Sequence, residues 1–178
     1  MESYKLANSY DKTNDEMTRY WTDGENAFFK NSEIKKVDVE SFVQYPSYIG
    51  YAKDKNNVYI KEKIFKEADV DTFEVLNYAY AKDKINVWTM IGNIENVDAK
   101  TFEACDDGKH FNGETKINGK LHKTFIPYSF GKDKNNVYYY DTVGKVKIVK
   151  NAVSKTFVSL NDGYFVYDEQ SVFLHIIN

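Results

Sequence analysis

Nine residues, Tyr51-Ala-Lys-Asp-Lys-Asn-Asn-Val-Tyr59, recur along this chain of 178 residues and leave it few ways to fold. Tyr80–Trp88 and Phe130–Tyr138 are near copies, and Tyr20–Phe28 and Phe165–Phe173 are worn ones. Each copy has an aromatic residue, an Asp three positions on, Asn or Ser six on and an aromatic eight on. Asp at the first position of a turn accepts hydrogen bonds from the amides that follow, and Asn tolerates left-handed backbone. Each copy is therefore expected to form the tip of a β-hairpin, with Asp54-Lys55-Asn56-Asn57 as a type I turn and Asn57 in a bulge. In that register Asp54 faces Val58 and Ala52 faces Ile60. Tyr51, Lys53, Tyr59 and Lys61 then share the other, partly exposed face.

A second motif follows each of the first four copies: Val37-Asp-Val-Glu-Ser-Phe42, Ala68-Asp-Val-Asp-Thr-Phe73, Val97-Asp-Ala-Lys-Thr-Phe102 and Ala152-Val-Ser-Lys-Thr-Phe157. Its Asp is placed to cap one turn of helix, and its Phe to anchor that turn on the hairpin. The first aromatics of the copies stand at 20, 51, 80, 130 and 165, a period near 30 with one interval of 50. A unit this small buries its faces only against neighbours. The expected fold is mainly β: repeated antiparallel hairpins joined by short capped helical turns into a stacked or curved sheet. Residues 20–178 are read as one repeat domain. Residues 1–19 are read as a polar arm, with room for one short helix over Asn8–Met17.

The long interval marks an insertion at about 103–125. It carries Asn112-Gly113 and Asn118-Gly119, both strong signals for two-residue hairpin turns. They predict a three-stranded meander over Lys109–Phe125, with Thr115 between His110 and His122 in one row.

Fifteen Tyr, twelve Phe and only two Pro favour pleated sheet and exclude general disorder. The net charge of −3 argues against a coat for nucleic acid. That charge is unevenly spread. Residues 62–107 hold eleven acids against five bases, and residues 108–150 nine bases against three acids. Cys105 is the only cysteine, so no disulfide forms within the chain. No apolar run is long enough to span a bilayer, and Met1–Tyr20 lacks the apolar core of a secretion signal. As written the chain is expected to be cytoplasmic. A leader ahead of Met1 would make it an envelope or secreted protein.

Catalytic and cofactor signatures are missing: there is no glycine-rich phosphate loop, no Gly-x-Ser-x-Gly and no His-Glu-x-x-His. Cys105 is followed by Asp106 and Asp107, which push a thiol away from the reactive thiolate. His110 and His122, with Asp106 and Asp107, are the only imaginable metal set, and the expected register holds the histidines two strands apart. The Asp-Lys-Asn-Asn loops lack the glycine and the twelfth-position acid of a calcium loop. The reading is of a non-enzyme that needs no cofactor and no metal.

The Asp-Lys-Asn-Asn-Val-Tyr strings, with the Ala-Asp-x-x-Thr-Phe and Tyr-Ala-Lys-Asp segments around them, resemble the bacterial DKNYY-repeat family over roughly residues 20–102 and 130–173. The plain copies carry Asn-Val ahead of the Tyr, a small departure from the family's name. The resemblance implies a repeat fold in a bacterial or phage setting, in a family many of whose members look exported or lipid-anchored. It brings no catalytic residue.

The function expected from these features is protein binding, best as an immunity or inhibitor protein that occludes a toxin or nuclease. The contact residues would be Asp69, Asp71, Asp106, Asp107, Lys109, His110 and His122. The acidic stretch would mimic a phosphate backbone, and the insertion would set specificity. The alternatives are an envelope-associated structural or adhesive repeat protein and, further off, a metal-dependent protein or a nucleic-acid binder. The last would use the basic stretch 108–150 and Phe111, Phe125, Tyr128 and Phe130.

Overall fold

Alternating strand residues and closely spaced turns make this chain a series of short antiparallel meanders. The computed structural model describes residues 5–6, 8–9, 20–117, 119–141, 145–160 and 165–174. These residues are mainly β, and the only helical segment among them is a single 3-10 turn, Ser154–Thr156. They fall into two compact units, 1–75 with 82–84 and 76–81 with 85–178.

In the first unit, strand Tyr20–Thr22 pairs with Ala27–Phe29, which pairs with Ser32–Glu33. The next sheet repeats the plan: Val43–Gln44, Tyr51–Lys53, Val58–Ile60 and Lys63–Ile64 are each antiparallel to the next. Each module is thus a meander with two tips. The second tip, Lys61-Glu62, takes the left-handed backbone (Lys61 φ +56°) that the first tip avoids. The arm contributes two strands: Lys5–Leu6 lies antiparallel to Tyr20–Thr22, and Asn8–Ser9 lies parallel to Val43–Gln44. Asn8 and Ser9 therefore extend a sheet edge and do not open a helix; residues 10–19 lie outside the described residues.

In the second unit, Val87–Thr89 pairs with Gly92–Asn93. Glu103–Ala104, Ser129–Lys132, Val137–Tyr140 and Lys147–Ile148 form another four-stranded meander. Val158–Ser159, Phe165–Tyr167 and Val172–Leu174 form the last sheet.

The register at the first tip differs by one residue from the expected one. Tyr51 pairs with Ile60, Ala52 with Tyr59 and Lys53 with Val58. No residue of Asp54–Asn57 has a positive φ, so Asn57 forms no left-handed bulge. One face of the hairpin carries Tyr51, Lys53, Val58 and Ile60, and the other carries Ala52 and Tyr59. Both faces are buried: Tyr51, Ala52, Val58 and Tyr59 are each 2% exposed or less. The expected Tyr/Lys surface is therefore absent, because each middle sheet is packed on both sides.

What fills the space between sheets is the Phe of the turn motif. Phe42 meets Tyr20 and Tyr59 edge-on, with ring centroids 5.5 and 5.8 Å away, over the small side chain of Ala52. Phe102 does the same between Tyr80 (5.2 Å) and Tyr138 (5.9 Å). Each such aromatic pair contributes roughly 0.5–1.5 kcal/mol beyond its area. The small residue at the second position of the string (Ala52, Gly131) makes this room. A Cβ placed on Gly131 would stand 2.4 Å from Phe102 Cζ, although its backbone conformation is ordinary. Gly131→Ala is expected to destabilise the protein by about 1–3 kcal/mol in denaturant unfolding, as overpacking does. Phe102→Leu in the same chain should recover part of the loss.

The turn motif forms hydrogen-bonded turns and not helices. Phe42 N–H bonds to Val39 O, Thr72 N–H to Asp69 O and Thr101 N–H to Asp98 O, one i to i+3 contact each. Only the copy that lost its Asp, at Ser154–Thr156, winds into a 3-10 turn.

Candidate functional site

The repeat Asp was the first residue to question, because five copies of a carboxylate in an Asn-rich loop suggest a ligand. Asp54, Asp83, Asp133 and Asp168 are each buried, at 8% exposure or less. Asp54 Oδ1 accepts the amides of Asn56 (2.8 Å) and Asn57 (2.7 Å). Its Oδ2 accepts the amide of Asp38 (2.7 Å), in the preceding turn motif, and the hydroxyl of Tyr59 (2.7 Å). Asp133 repeats every contact, with Asn135, Asn136, Asp98 and Tyr138 as donors. Asp83 accepts the amide of Asp69, and Asp168 that of Val153.

The remaining tip amides are also satisfied. Asp54 N–H reaches Asn57 O, and Lys55 N–H reaches the hydroxyl of Ser41. The amides of Lys84, Lys134 and Glu169 find Thr72, Thr101 and Thr156 in the same way. The Lys closes the unit. Lys55, Lys84 and Lys134 pair with the turn carboxylates Asp38 (2.6 Å), Asp69 (2.6 Å) and Asp98 (2.5 Å). Where the fourth turn has Val153 in place of the Asp, the tip has Glu169 in place of the Lys. The Asp, the Lys that follows it, the two Asn amides and the final Tyr of the string are thus used to clamp a hairpin tip to the turn before it. The carboxylates face N–H donors, which is the wrong surrounding for a cation.

Asp69 is spent in this clamp: beside Lys84 it also accepts the amide and hydroxyl of Thr72. Asp71, two residues on, is exposed. The acidic stretch therefore offers less free charge than its composition suggested.

The interruption of the repeat is built differently. Lys109–Ile117 and Lys120–Pro127 form one long hairpin whose strands pair only with each other among the described residues. The expected three-stranded meander is absent. Asn112-Gly113 does not reverse the chain; the register slips between Phe111 and Gly113, a bulge with Gly113 at φ +123°. Left-handed backbone serves a bulge as well as a turn, so the same dipeptide fits both. Thr115 pairs with His122 as expected, but His110 pairs with Ile126. The histidines lie four rungs apart, roughly 13 Å along the ladder, too far to share one ion. Among the described residues no three His, Cys, Asp or Glu side chains are grouped to hold a metal.

The base of the hairpin is fastened by Asp106. Its carboxylate accepts Ser129 Oγ (2.6 Å), the Phe130 amide (2.9 Å), the Gly108 amide (3.1 Å) and Ser159 Oγ (3.3 Å). Asn77 ties the same point, donating to Asp106 O (2.9 Å) and Ser129 Oγ (2.8 Å) and accepting the amides of Ala79 and Tyr80. Gly108, at φ +73°, is required there: a Cβ would meet Ala79 N and Asn77 Cγ at 2.9 Å. Asp106 is therefore a fastener of the hairpin's base. Burial holds its pKa above the ordinary carboxylate value against four hydrogen bonds that lower it.

The neighbouring candidates divide. Cys105 is half-buried, and burial pushes its thiol up to about 12, away from thiolate chemistry. Asp107 is exposed and accepts the Lys109 amide (2.9 Å). The Lys109 ammonium lies over the rings of Tyr78 (5.5 Å) and Phe125 (6.0 Å), and the His110 ring lies 5.4 Å from that of Tyr128. Asp106, Asp107, Lys109 and His110 thus gather at the hairpin's base, while His122 stands further along it. From Phe111 outward the hairpin is open: Phe111 is 51% and Leu121, near the tip, 66% exposed, and Glu114, Lys116 and Lys123 are exposed beside them. Reading by charge missed Leu121 and gave Phe111 to the nucleic-acid alternative alone. Large apolar residues in a polar insertion were the signal.

The DKNYY family profile matches residues 1–63 and again 61–142, most of the chain, and the protein belongs to the DKNYY family. The second match runs through the inserted hairpin and stops before the last module. No curated protein and no solved structure matches the chain. Among the described residues no helix is long and apolar enough to cross a membrane.

The clamp makes a pH prediction. Asp38 and Asp69 are held at about 2, the first by Lys55 and Ser41 and the second by Lys84 and Thr72. Asp133 is lowered because bonds from Asp98, Asn135, Asn136 and Tyr138 outweigh its burial, and Asp168 is lowered first by the Val153 amide. Folded values below the unfolded 3.8 give stability that is complete above pH 4 and is lost as pH falls from there towards 2. Asp106, raised on folding, acts in the opposite sense and above that window: the penalty of its buried charge is relieved as pH falls through its raised value to 3.8. A melting temperature followed from pH 7 to 2 should be level and then fall below about pH 4. Asp133→Asn should start lower and fall less.

Proposed function

We propose that this DKNYY-family protein is a non-catalytic protein-binding module, an immunity or inhibitor protein that neutralises a toxin or nuclease by covering its active surface. The observation that carries the reading is the inserted hairpin. Its strands of nine and eight residues stand out among strands of two to four. It offers Phe111 just above the base and Leu121 near the tip, between charged side chains. The Asp and Lys of the repeat tips are consumed in scaffolding, and the hairpin with its base at Asp107, Lys109 and His110 is the surface assigned to the toxin or nuclease. Exposed apolar anchors inside a charged rim are the usual anatomy of a protein contact. Asp71 and Asp107 are the exposed members of the acidic set, available to a basic partner.

The test is direct mixing with candidate bacterial toxins and nucleases, followed by gel filtration and an activity assay. A 1:1 complex with loss of toxin activity is expected. A double variant, Phe111→Ser with Leu121→Ser, should keep the melting temperature and weaken the complex at least tenfold, as lost anchors do. Binding that survives this variant would move the contact elsewhere. Salt-sensitive binding to single-stranded nucleic acid, with no protein complex, would favour the basic stretch as a nucleic-acid surface.

A further inference from the structure

The repeat leaves its two ends unmatched in complementary ways. Within each unit one face of a hairpin meets the sheet that follows it. This is the face of Tyr20, Ala27 and Phe29 in the first module, and of Phe130, Val137 and Tyr139 in the fourth. All six residues are 5% exposed or less. The opposite face, Ala52 with Tyr59 or Gly131 with Tyr138, receives the sheet before it.

In the last module the first kind of face is open. Val172, the counterpart of Ala27 and Val137, is 73% exposed; Phe165 is 46% and Tyr167 41% exposed, and Val158 on the adjoining strand is 39% exposed. In the first module the second kind of face is open. Trp21 is 38% exposed and, with Phe28, Lys30 and Asn31, lines a groove of about 430 Å³. Trp21 holds the position of Ala52, Ala81 and Gly131. Inside the chain that small residue makes room for the Phe of the turn motif.

We propose that the protein self-associates head to tail, the open last-module face of one copy seating on the open first-module face of a second. The contact would continue the sheet-on-sheet packing that the chain makes between its own modules. The Trp21 indole would supply the volume that a turn Phe supplies within the chain. A contact between two different faces leaves each pair of copies with one free face of each kind, so assembly proceeds beyond a dimer.

Light scattering with gel filtration over a concentration series tests this. The wild-type mass should rise with concentration past that of two chains. Trp21→Glu blocks one face and Val172→Lys the other; Val172 is 73% exposed and its variant should keep the wild-type melting temperature, whereas Trp21 is 38% exposed and its variant should melt somewhat lower, with circular dichroism checking that its fold is kept. Each variant alone should remain a monomer, and an equal mixture of the two should form a dimer and stop there, since one complementary pair of faces survives. A wild type that stays monomeric at its highest soluble concentration would overturn the proposal. So would a Trp21→Glu variant that still self-associates, which would mean pairing of like ends.

Discussion

A buried carboxylate at four of the repeat tips, Asp54, Asp83, Asp133 and Asp168, is the contact on which this structure depends. Hairpins of two to four residues per strand are not stable alone, and their tips leave amides that must find acceptors. One Asp supplies them, closing its own tip with one oxygen and holding the preceding turn with the other. Local and long-range order are thus coupled in a single side chain. The bonds also offset the cost of burying the charge, since a carboxylate with several good donors is tolerated where an unpaired one is not.

Packing follows from the clamp. With the turn fixed against the tip, its Phe lies over the small second residue of the next string, and tyrosines close on it from both sides. Sheets stack because large and small residues alternate across the gap, which is how close-packed interiors are generally filled. The repeat string is therefore a description of an interface between consecutive modules. Its chemistry is structural, and recognition is left to the segment that breaks the period.

Much of this was legible in the sequence. The period, the hairpins and the place of the insertion followed from the strings and their spacing. The register did not, because Asp54 Oδ1 takes the place of a backbone acceptor at the tip, and nothing in Asp-Lys-Asn-Asn distinguishes that from a bulged turn. The turn hydroxyls were also overlooked, although Ser41, Thr72, Thr101 and Thr156 each directly precede the Phe and so were visible as a pattern. Asn112-Gly113 was read as a turn and is a bulge. Asp69 and Asp106 were read as surface charge, and their partners lie 15 residues or more away in sequence, at Lys84, Ser129 and Phe130.

Amide hydrogen exchange tests the central claim most directly. The amides of Asp38, Asp98 and Val153 lie in turns outside any ladder, and each is bound only by a tip carboxylate. They should exchange as slowly as the core strand amides of Ala52 and Val137. In Asp133→Ala the Asp98 amide should lose its protection together with those of Asn135 and Asn136, while Asp38 keeps its own. Exchange of Asp98 at the rate of an open loop in the wild type would contradict the account.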